Sequence, residues 1–325
     1  MPPRTVILLG PQGAQPNVGS VLAELGIRKK VAFVHAGYQE RESEDGALIS
    51  MFGVPAVNLG LHRRGVEVFR EDKEFTEAYQ ARQQRLRHMQ SFYRVRLEKT
   101  EDAAKTISLR YVEPELLQQE EKVSIDQFRS LDSEHLERCA AVHTTFDRTW
   151  QPTTRPAIAK HVNELRNELA SVEALVISGG HVASLYNRLA LFDVFAQLGD
   201  KPVIAWSAGA MVLTDRIVIF HDYPPYGSDI AQVLDAGFGI AQDVVVLPDP
   251  ARRVNYDARA GIQRFARRMA PATAVAMGAG TKLVFDRGKL VLAQATRLAT
   301  NGDIEHNWDG SPTRFSTPFR FGVHI

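Results

Sequence analysis

The sequence predicts an α/β protein: a mostly parallel sheet with helices packed on its faces, interrupted by a helical insertion. Three observations carry that prediction. Short β-rich runs alternate with helical runs over the first 60 residues, the alternation resumes after residue 171, and between them apolar residues recur at helical spacing. The expected organisation is an α/β domain made from residues 1–62 and 172–325, with residues 63–171 as the insertion.

Thr5–Leu9 is a short apolar run ending in Gly10-Pro11-Gln12-Gly13, a strand followed by a turn. Val18–Leu25 reads as a helix, Lys30–Val34 as a second strand ending at His35, Gly46–Phe52 as a helix and Pro55–Leu59 as a third strand. In the insertion, Phe75, Tyr79, Leu86, Met89, Tyr93 and Leu97 follow steps of 3, 4 or 7 and share one helical face. Leu136, Cys139, Ala140, His143 and Phe146 form a second such face, and Ile158, Val162, Leu165 and Leu169 a third. The polar stretches Thr100–Lys105 and Gln151–Arg155 are expected to link them. Ala174–Ile177 then predicts a strand, Ala183–Phe195 one helix, and Pro202–Trp206 a strand. Val244–Leu247, Ala274–Ala276, Lys282–Phe285 and Leu290–Ala293 read as strands, the last two joined as a hairpin through Asp286-Arg287-Gly288-Lys289. The tail from Asn301 is expected to be irregular.

A chain of 325 residues with 44% hydrophobic and 24% charged residues is neither disordered nor a disulfide scaffold. Its 39 basic and 38 acidic side chains leave a net charge of +1, which gives no global field for nucleic acid or an anionic membrane. Arg82, Arg85, Arg87, Arg94 and Arg96 form the basic cluster of the insertion, diluted by Glu77 and Glu98, and read as solvated helix faces. No run approaches the roughly 18 apolar residues that a membrane span requires. Met1-Pro2-Pro3-Arg4 leads straight into a strand, which predicts no secretory leader. Cys139, the single cysteine, excludes an intramolecular disulfide and multi-cysteine metal sites, and points to a reducing, cytoplasmic setting. The ten histidines show no metal-ligand spacing, and Gly10-Pro11-Gln12-Gly13 fits neither a dinucleotide nor a P-loop pattern, so no metal or cofactor is expected.

The strongest chemical signal is Pro202-Val203-Ile204-Ala205-Trp206-Ser207-Ala208-Gly209-Ala210-Met211, an apolar strand that runs into a serine and then a small-residue helix start. This is the form of a nucleophile elbow. The serine sits on a strained turn, and small neighbours leave room for it, with the Ala208 N–H presented to a developing oxyanion. The second signal is Val176-Ile177-Ser178-Gly179-Gly180-His181, where paired glycines let backbone N–H groups approach a ligand. Gly179 and Gly180 could complete an oxyanion hole with Ala208.

Together, Ser178-Gly179-Gly180-His181 and Trp206-Ser207-Ala208-Gly209-Ala210 resemble the dipeptidase E and cyanophycinase family of serine peptidases, over residues 4–60 and 174–295. The resemblance implies a flavodoxin-like, class I glutamine amidotransferase-like fold. It also implies Ser207 as nucleophile, oxyanion donors from Ala208 and Gly180, and a small acidic peptide or aspartate-derived ligand. One of Arg252 and Arg253 would hold the aspartyl carboxylate, since guanidinium binds two oxygens at once; the alternative is an ion pair with Asp249 or Asp257.

This chain departs from the family pattern at two positions. Where the family carries its histidine, the sequence has Pro248-Asp249 ahead of Arg252 and Arg253, and Ala279 stands in the usual acidic position before Gly280-Thr281. A serine hydroxyl without an adjacent base is a poor nucleophile. His181, which replaces the family's Asn or Asp after the glycines, and His221, next to Asp222, are candidate substitutes, with Asp215 a further acidic candidate; packing or surface roles are the alternatives. His35 is expected at the crevice edge. Three readings stay open: a serine hydrolase with a rearranged base; a catalytically silent relative that binds an acidic ligand, with a protein partner on the insertion; and an amidotransferase, which would need cysteine at the elbow. The mixed charge and scattered aromatics of the insertion leave room for a homodimer.

Overall fold

The computed structural model describes residues 3–13, 15–220 and 230–311. His221 and Asp222 lie outside the described residues. In chain order the elements are β1 (Thr5–Leu9), α1 (Val18–Glu24), β2 (Val31–Val34), α2 (Gly46–Ser50), β3 (Ala56–Asn58), α3 (Leu61–Glu71), α4 (Lys73–Ser108), α5 (Pro114–Trp150), α6 (Pro156–Ala170), β4 (Leu175–Ile177), α7 (Val182–Leu191), α8 (Val194–Leu198), β5 (Val203–Trp206), α9 (Ala208–Leu213), β6 (Arg216–Ile219), β7 (Gln232–Ala236), β8 (Val244–Pro248), α10 (Pro250–Arg253), α11 (Arg259–Met269), β9 (Thr273–Met277), β10 (Lys282–Asp286), β11 (Lys289–Leu298) and β12 (Ile304–Trp308).

The parallel half of the sheet runs β3-β2-β4-β5-β1. Along β1, Val6 and Leu8 enter one buried layer with α3, α6, α7 and α9, while Ile7 and Leu9 enter the other with α1 and α2. That period of two is what a sheet covered on both faces requires. From β2 the chain moves outward to β3, then returns to β4 and β5 on the other side. In such sheets the crevice beyond the carboxyl ends, where the direction reverses, is where ligands bind. The loops after β1, β2, β4 and β5 all open at that end.

Beyond β1 the sheet turns antiparallel through β10 and β11. The ten residues of β11 pair with β10 up to Gln294 and with β9 from Thr296 onward, and β9 lies parallel to β8. The turn between β9 and β10 closes on the end of β1, where Gly10 N–H donates to Thr281 O at 2.9 Å. A Cβ on Gly10 would stand 1.8 Å from Gly278 O, so only glycine fits.

The structure corrects three local expectations. Thr100–Lys105 is not a linker: α4 runs unbroken for 36 residues, about 54 Å at 1.5 Å per residue. Its polar residues have helical uses, since Glu101 pairs with Arg264 at 2.7 Å and Thr100 and Thr106 bond back to carbonyls four residues earlier. Ala183–Phe195 is two helices, broken at Asp193, whose φ of 45° no helix tolerates. The tail after Asn301 includes β12, which is paired to β11 and closed by the buried Trp308. Among the described residues no helix is long and apolar enough to cross a membrane.

Helices α4 and α5 form a long antiparallel pair tied to the α/β layers at two places. Near one end, Phe75, Tyr79 and Phe146 join the core of the parallel sheet. Further along, Tyr93, Leu97, Ile125 and Phe128 pack with β8, β9 and α11. Here Arg268 forks onto Asp132 with two bonds of 2.7 Å, donates to Tyr93 Oη at 2.9 Å and to Ala231 O at 2.8 Å. The Tyr93 hydroxyl donates to Asp132 at 2.7 Å and accepts from Val233 N–H. Every member of this buried network is satisfied, which makes removal of one member costly. Arg268→Met, which strands the Asp132 carboxylate, is expected to lower the unfolding free energy by about 3–5 kcal/mol. Arg268→Met combined with Asp132→Leu is expected to recover most of that loss, as read by urea denaturation.

Candidate active site

The site is assembled from three loops at the carboxyl ends of β2, β4 and β5. After β5, Ser207 takes φ 51° and ψ −127°, a conformation rare outside glycine, and α9 begins at the next residue. Strain of this kind persists only where the surroundings over-determine it. The surroundings are tight: a Cβ on Gly209 would stand 2.5 Å from Ile177 O and 2.7 Å from Ser178 O. The small residues of the motif therefore let α9 start directly against the end of β4.

The Gly179-Gly180 pair stands beside the serine. A Cβ on Gly179 would lie 2.9 Å from Ser207 Cβ and 3.4 Å from its Oγ. Gly180 has φ 104°, and a Cβ there would meet Gly37 at 2.3 Å. Gly37 in turn presses on Gly179 O and accepts a 2.7 Å bond from His181 N–H. The β2, β4 and β5 loops thus interlock through backbone. Among the described residues, the N–H groups of Gly179, Gly180 and Ala208 have no protein acceptor, and the half-buried Ser207 hydroxyl has no hydrogen-bond partner. Gly179 and the adjoining Ala208 N–H thus stand against the Ser207 side chain.

His181 does not meet Ser207. It caps α7: its Nδ1 accepts from Ser184 N–H at 3.2 Å and contacts Ser184 Oγ at 3.0 Å. A backbone N–H can only donate, so Nδ1 is an acceptor and the neutral ring carries its proton on Nε2. Gln39 fixes the arrangement from the β2 loop by donating to Ser184 Oγ at 2.6 Å, with its own φ at 56°. Among the described residues His181 is bonded to Ser184 and not to Ser207.

His35 is buried, with Nδ1 2.8 Å from Ser178 Oγ and its ring stacked on Tyr38 at 4.0 Å. Ser178 Oγ donates to Val34 O, so this pair ties the glycine loop to β2. Burial holds the His35 imidazole below its ordinary value of 6.5, with Asp45 opposing more weakly. Sequence reasoning placed His35 at the strand end but did not reveal its bond to Ser178, because the partners are 143 residues apart.

Among the described residues none of the remaining candidates is bonded to Ser207. Asp249 ends β8 at φ 54°, and Arg252 lies 4.0 Å from its carboxylate with the guanidinium exposed. Arg253 lies over the Phe220 ring at 5.9 Å. Among the described residues, neither arginine is bonded to the crevice loops. Asp215 accepts from Asp243 N–H at 2.8 Å, and Ala279 is exposed in its turn. A cavity of about 240 Å³ lies elsewhere, between α4, α5 and α11, and contains none of the crevice residues. No cluster of potential metal ligands occurs among the described residues.

No family model and no curated protein matches the chain. Among solved structures it is similar to a peptidase from an acI-B1 Actinobacterium, at 12% identity and TM-score 0.46, covering 96% of this chain and 93% of that one. It is also similar to a protein named as a peptidase E from Listeria monocytogenes EGD-e, at 9% identity and TM-score 0.42, covering 91% of this chain and 99% of that one. At these scores neither likeness carries an argument, and the site is read from its own geometry.

A methyl group at residue 179 has to displace Ser207 itself. Gly179→Ala is expected to cost about 1–3 kcal/mol, whereas Gly13→Ala, whose Cβ meets nothing within 4 Å, is expected to leave the thermal midpoint unchanged. Acid sensitivity follows from three buried imidazoles. His35, His135 and His161 are all held below 6.5, chiefly by burial. As pH falls through 6.5 the unfolded chain takes up protons that the folded chain refuses, so stability drops from that point downward. Urea midpoints at about pH 7.5 and about pH 5.5 should show the drop, and His35→Gln should make it smaller.

Proposed function

We propose that the crevice is the active site of a peptidase-like serine hydrolase, with Ser207 as the nucleophile and a small acidic, aspartyl peptide as substrate. The observation that carries this reading is Ser207 itself, strained at φ 51° with its hydroxyl unengaged beside Gly179. In this reading Ser207 Oγ adds to the scissile carbonyl carbon and passes its proton to solvent water, and the N–H groups of Gly179, Gly180 and Ala208 receive the oxygen as it becomes negative. The C–N bond breaks as the amine leaves with a proton from water, and a further water hydrolyses the acyl ester to release the acid and restore Ser207. The substrate class rests on the motif resemblance, which assigns one of Arg252 and Arg253, in α10, to the aspartyl carboxylate.

One observation favours a second reading. Among the described residues no imidazole or carboxylate is bonded to the Ser207 hydroxyl, and His181 and His35 have their Nδ1 atoms engaged elsewhere. A triad enzyme stripped of its base retains only about 10³–10⁴-fold acceleration over water. The second reading is therefore a crevice that binds an acidic peptide through its backbone donors without cleaving it.

A fluorophosphonate probe separates the two. The hydrolase reading expects covalent labelling of the wild-type chain at Ser207 and none in Ser207→Ala. If wild type and Ser207→Ala are equally inert while both bind an aspartyl dipeptide in calorimetry, the silent binder stands. If neither labelling nor binding occurs, both readings fail.

A further inference from the structure

The cavity of about 240 Å³ between α4, α5 and α11 lies in the apolar cluster that joins the long helices to β8, β9 and α11. Phe128 of α5, Leu247 of β8, Val254 after α10, Ile262 of α11 and Leu298 of β11 line it, and all five are buried. Native interiors leave few voids larger than a water molecule, so a gap of this size in an apolar layer asks for an occupant. Water fits such a wall poorly, since a buried water takes about two to four polar partners and hydrocarbon supplies none.

The polar groups that line the cavity are engaged with protein. Arg264 donates to Glu101 at 2.7 Å, and Lys105 lies 3.6 Å from the same carboxylate. Arg268 forks onto Asp132 and lies over the Phe128 ring at 5.2 Å. Asn255 Oδ1 accepts from Asp257 N–H at 3.1 Å. A charged ligand would have to take one member of a pair and leave the other stranded in the layer, which is strongly destabilising. The charges therefore favour an occupant that carries none.

We propose that this cavity is a binding site for a small uncharged ring compound of one or two fused rings. An apolar cavity of roughly 150 Å³ takes benzene, so 240 Å³ has room for a molecule the size of indole. Burial of its apolar surface against Phe128, Leu247, Val254, Ile262 and Leu298 drives binding. The wall draws on α5 of the insertion and on β8, α11 and β11 of the α/β layers, so an occupant stabilises the joint between them. The proposal is independent of the reading of Ser207.

Calorimetry and thermal unfolding test it, with indole as the neutral probe and indole-3-carboxylate as its charged counterpart. The expected result is saturable binding of indole, which raises the thermal midpoint by about 2–4 °C at a concentration about ten times its Kd. The carboxylate is expected to bind about tenfold more weakly or worse. Val254→Phe, which enlarges the wall, should weaken indole binding about tenfold or more without lowering the thermal midpoint. Ile262→Phe repeats that test from α11 if Val254→Phe does not fold. Ser207→Ala should bind indole as the wild type does. No saturable binding of indole overturns the proposal, and a lowered midpoint in both enlarged variants then shows the space already taken by the chain itself. Unchanged binding in both variants, equal binding of the carboxylate, or loss of binding in Ser207→Ala each overturns it as well.

Discussion

Everything at the crevice depends on backbone meeting backbone with no side chain between. Gly37, Gly179, Gly180 and Gly209 each occupy a position where a Cβ would stand under 3 Å from a neighbouring atom. That closeness joins the loops after β2, β4 and β5 into one body and holds Ser207 at a positive φ. A strained residue relaxes when its surroundings yield, so the rigidity of the glycine contacts and the poise of the serine are one property.

Around this body the structure relies on a few buried arginines held by carboxylates. Arg268 with Asp132 and Tyr93 joins α4, α5 and α11 to β7. Arg64 joins α3 to α6 through Glu164 and Glu168, with a further bond to Leu59 O at 2.9 Å. These pairs fix register more than they add stability, since charges withdrawn from water recover their hydration only when every lone pair and proton is met. Apolar packing on both faces of the sheet supplies the larger stabilising share, and the ion clusters decide how the long helices lie across it.

Much of the architecture was legible because it is local. Runs such as Val31–Val34 and Leu175–Ile177 are continuous apolar strands because they are buried on both faces, and Phe75, Tyr79, Met89, Tyr93 and Leu97 mark the buried stripe of α4 as their spacing implied. The misreadings share a cause. Thr100–Lys105 was polar enough to pass for a linker because the partner that makes Glu101 a buried helical residue, Arg264, is 163 residues away. The strand Ile304–Trp308 was hidden because its pairing with β11 depends on the sheet, and its own alternation is weak.

At the site the division is similar. The sequence by itself determined that a serine would sit between an apolar strand and a small-residue helix start, with paired glycines one strand–helix unit before it, because these requirements are steric and act between near neighbours. It also determined a balanced charge and a chain with one cysteine. Only the tertiary structure decided that the two loops meet, that His181 turns its acceptor nitrogen to Ser184, and that His35 grips Ser178. It alone set Phe128, Leu247 and Leu298 around one cavity. A side chain's hydrogen-bond partner is chosen among groups brought together by packing, and packing joins residues that no spacing rule connects.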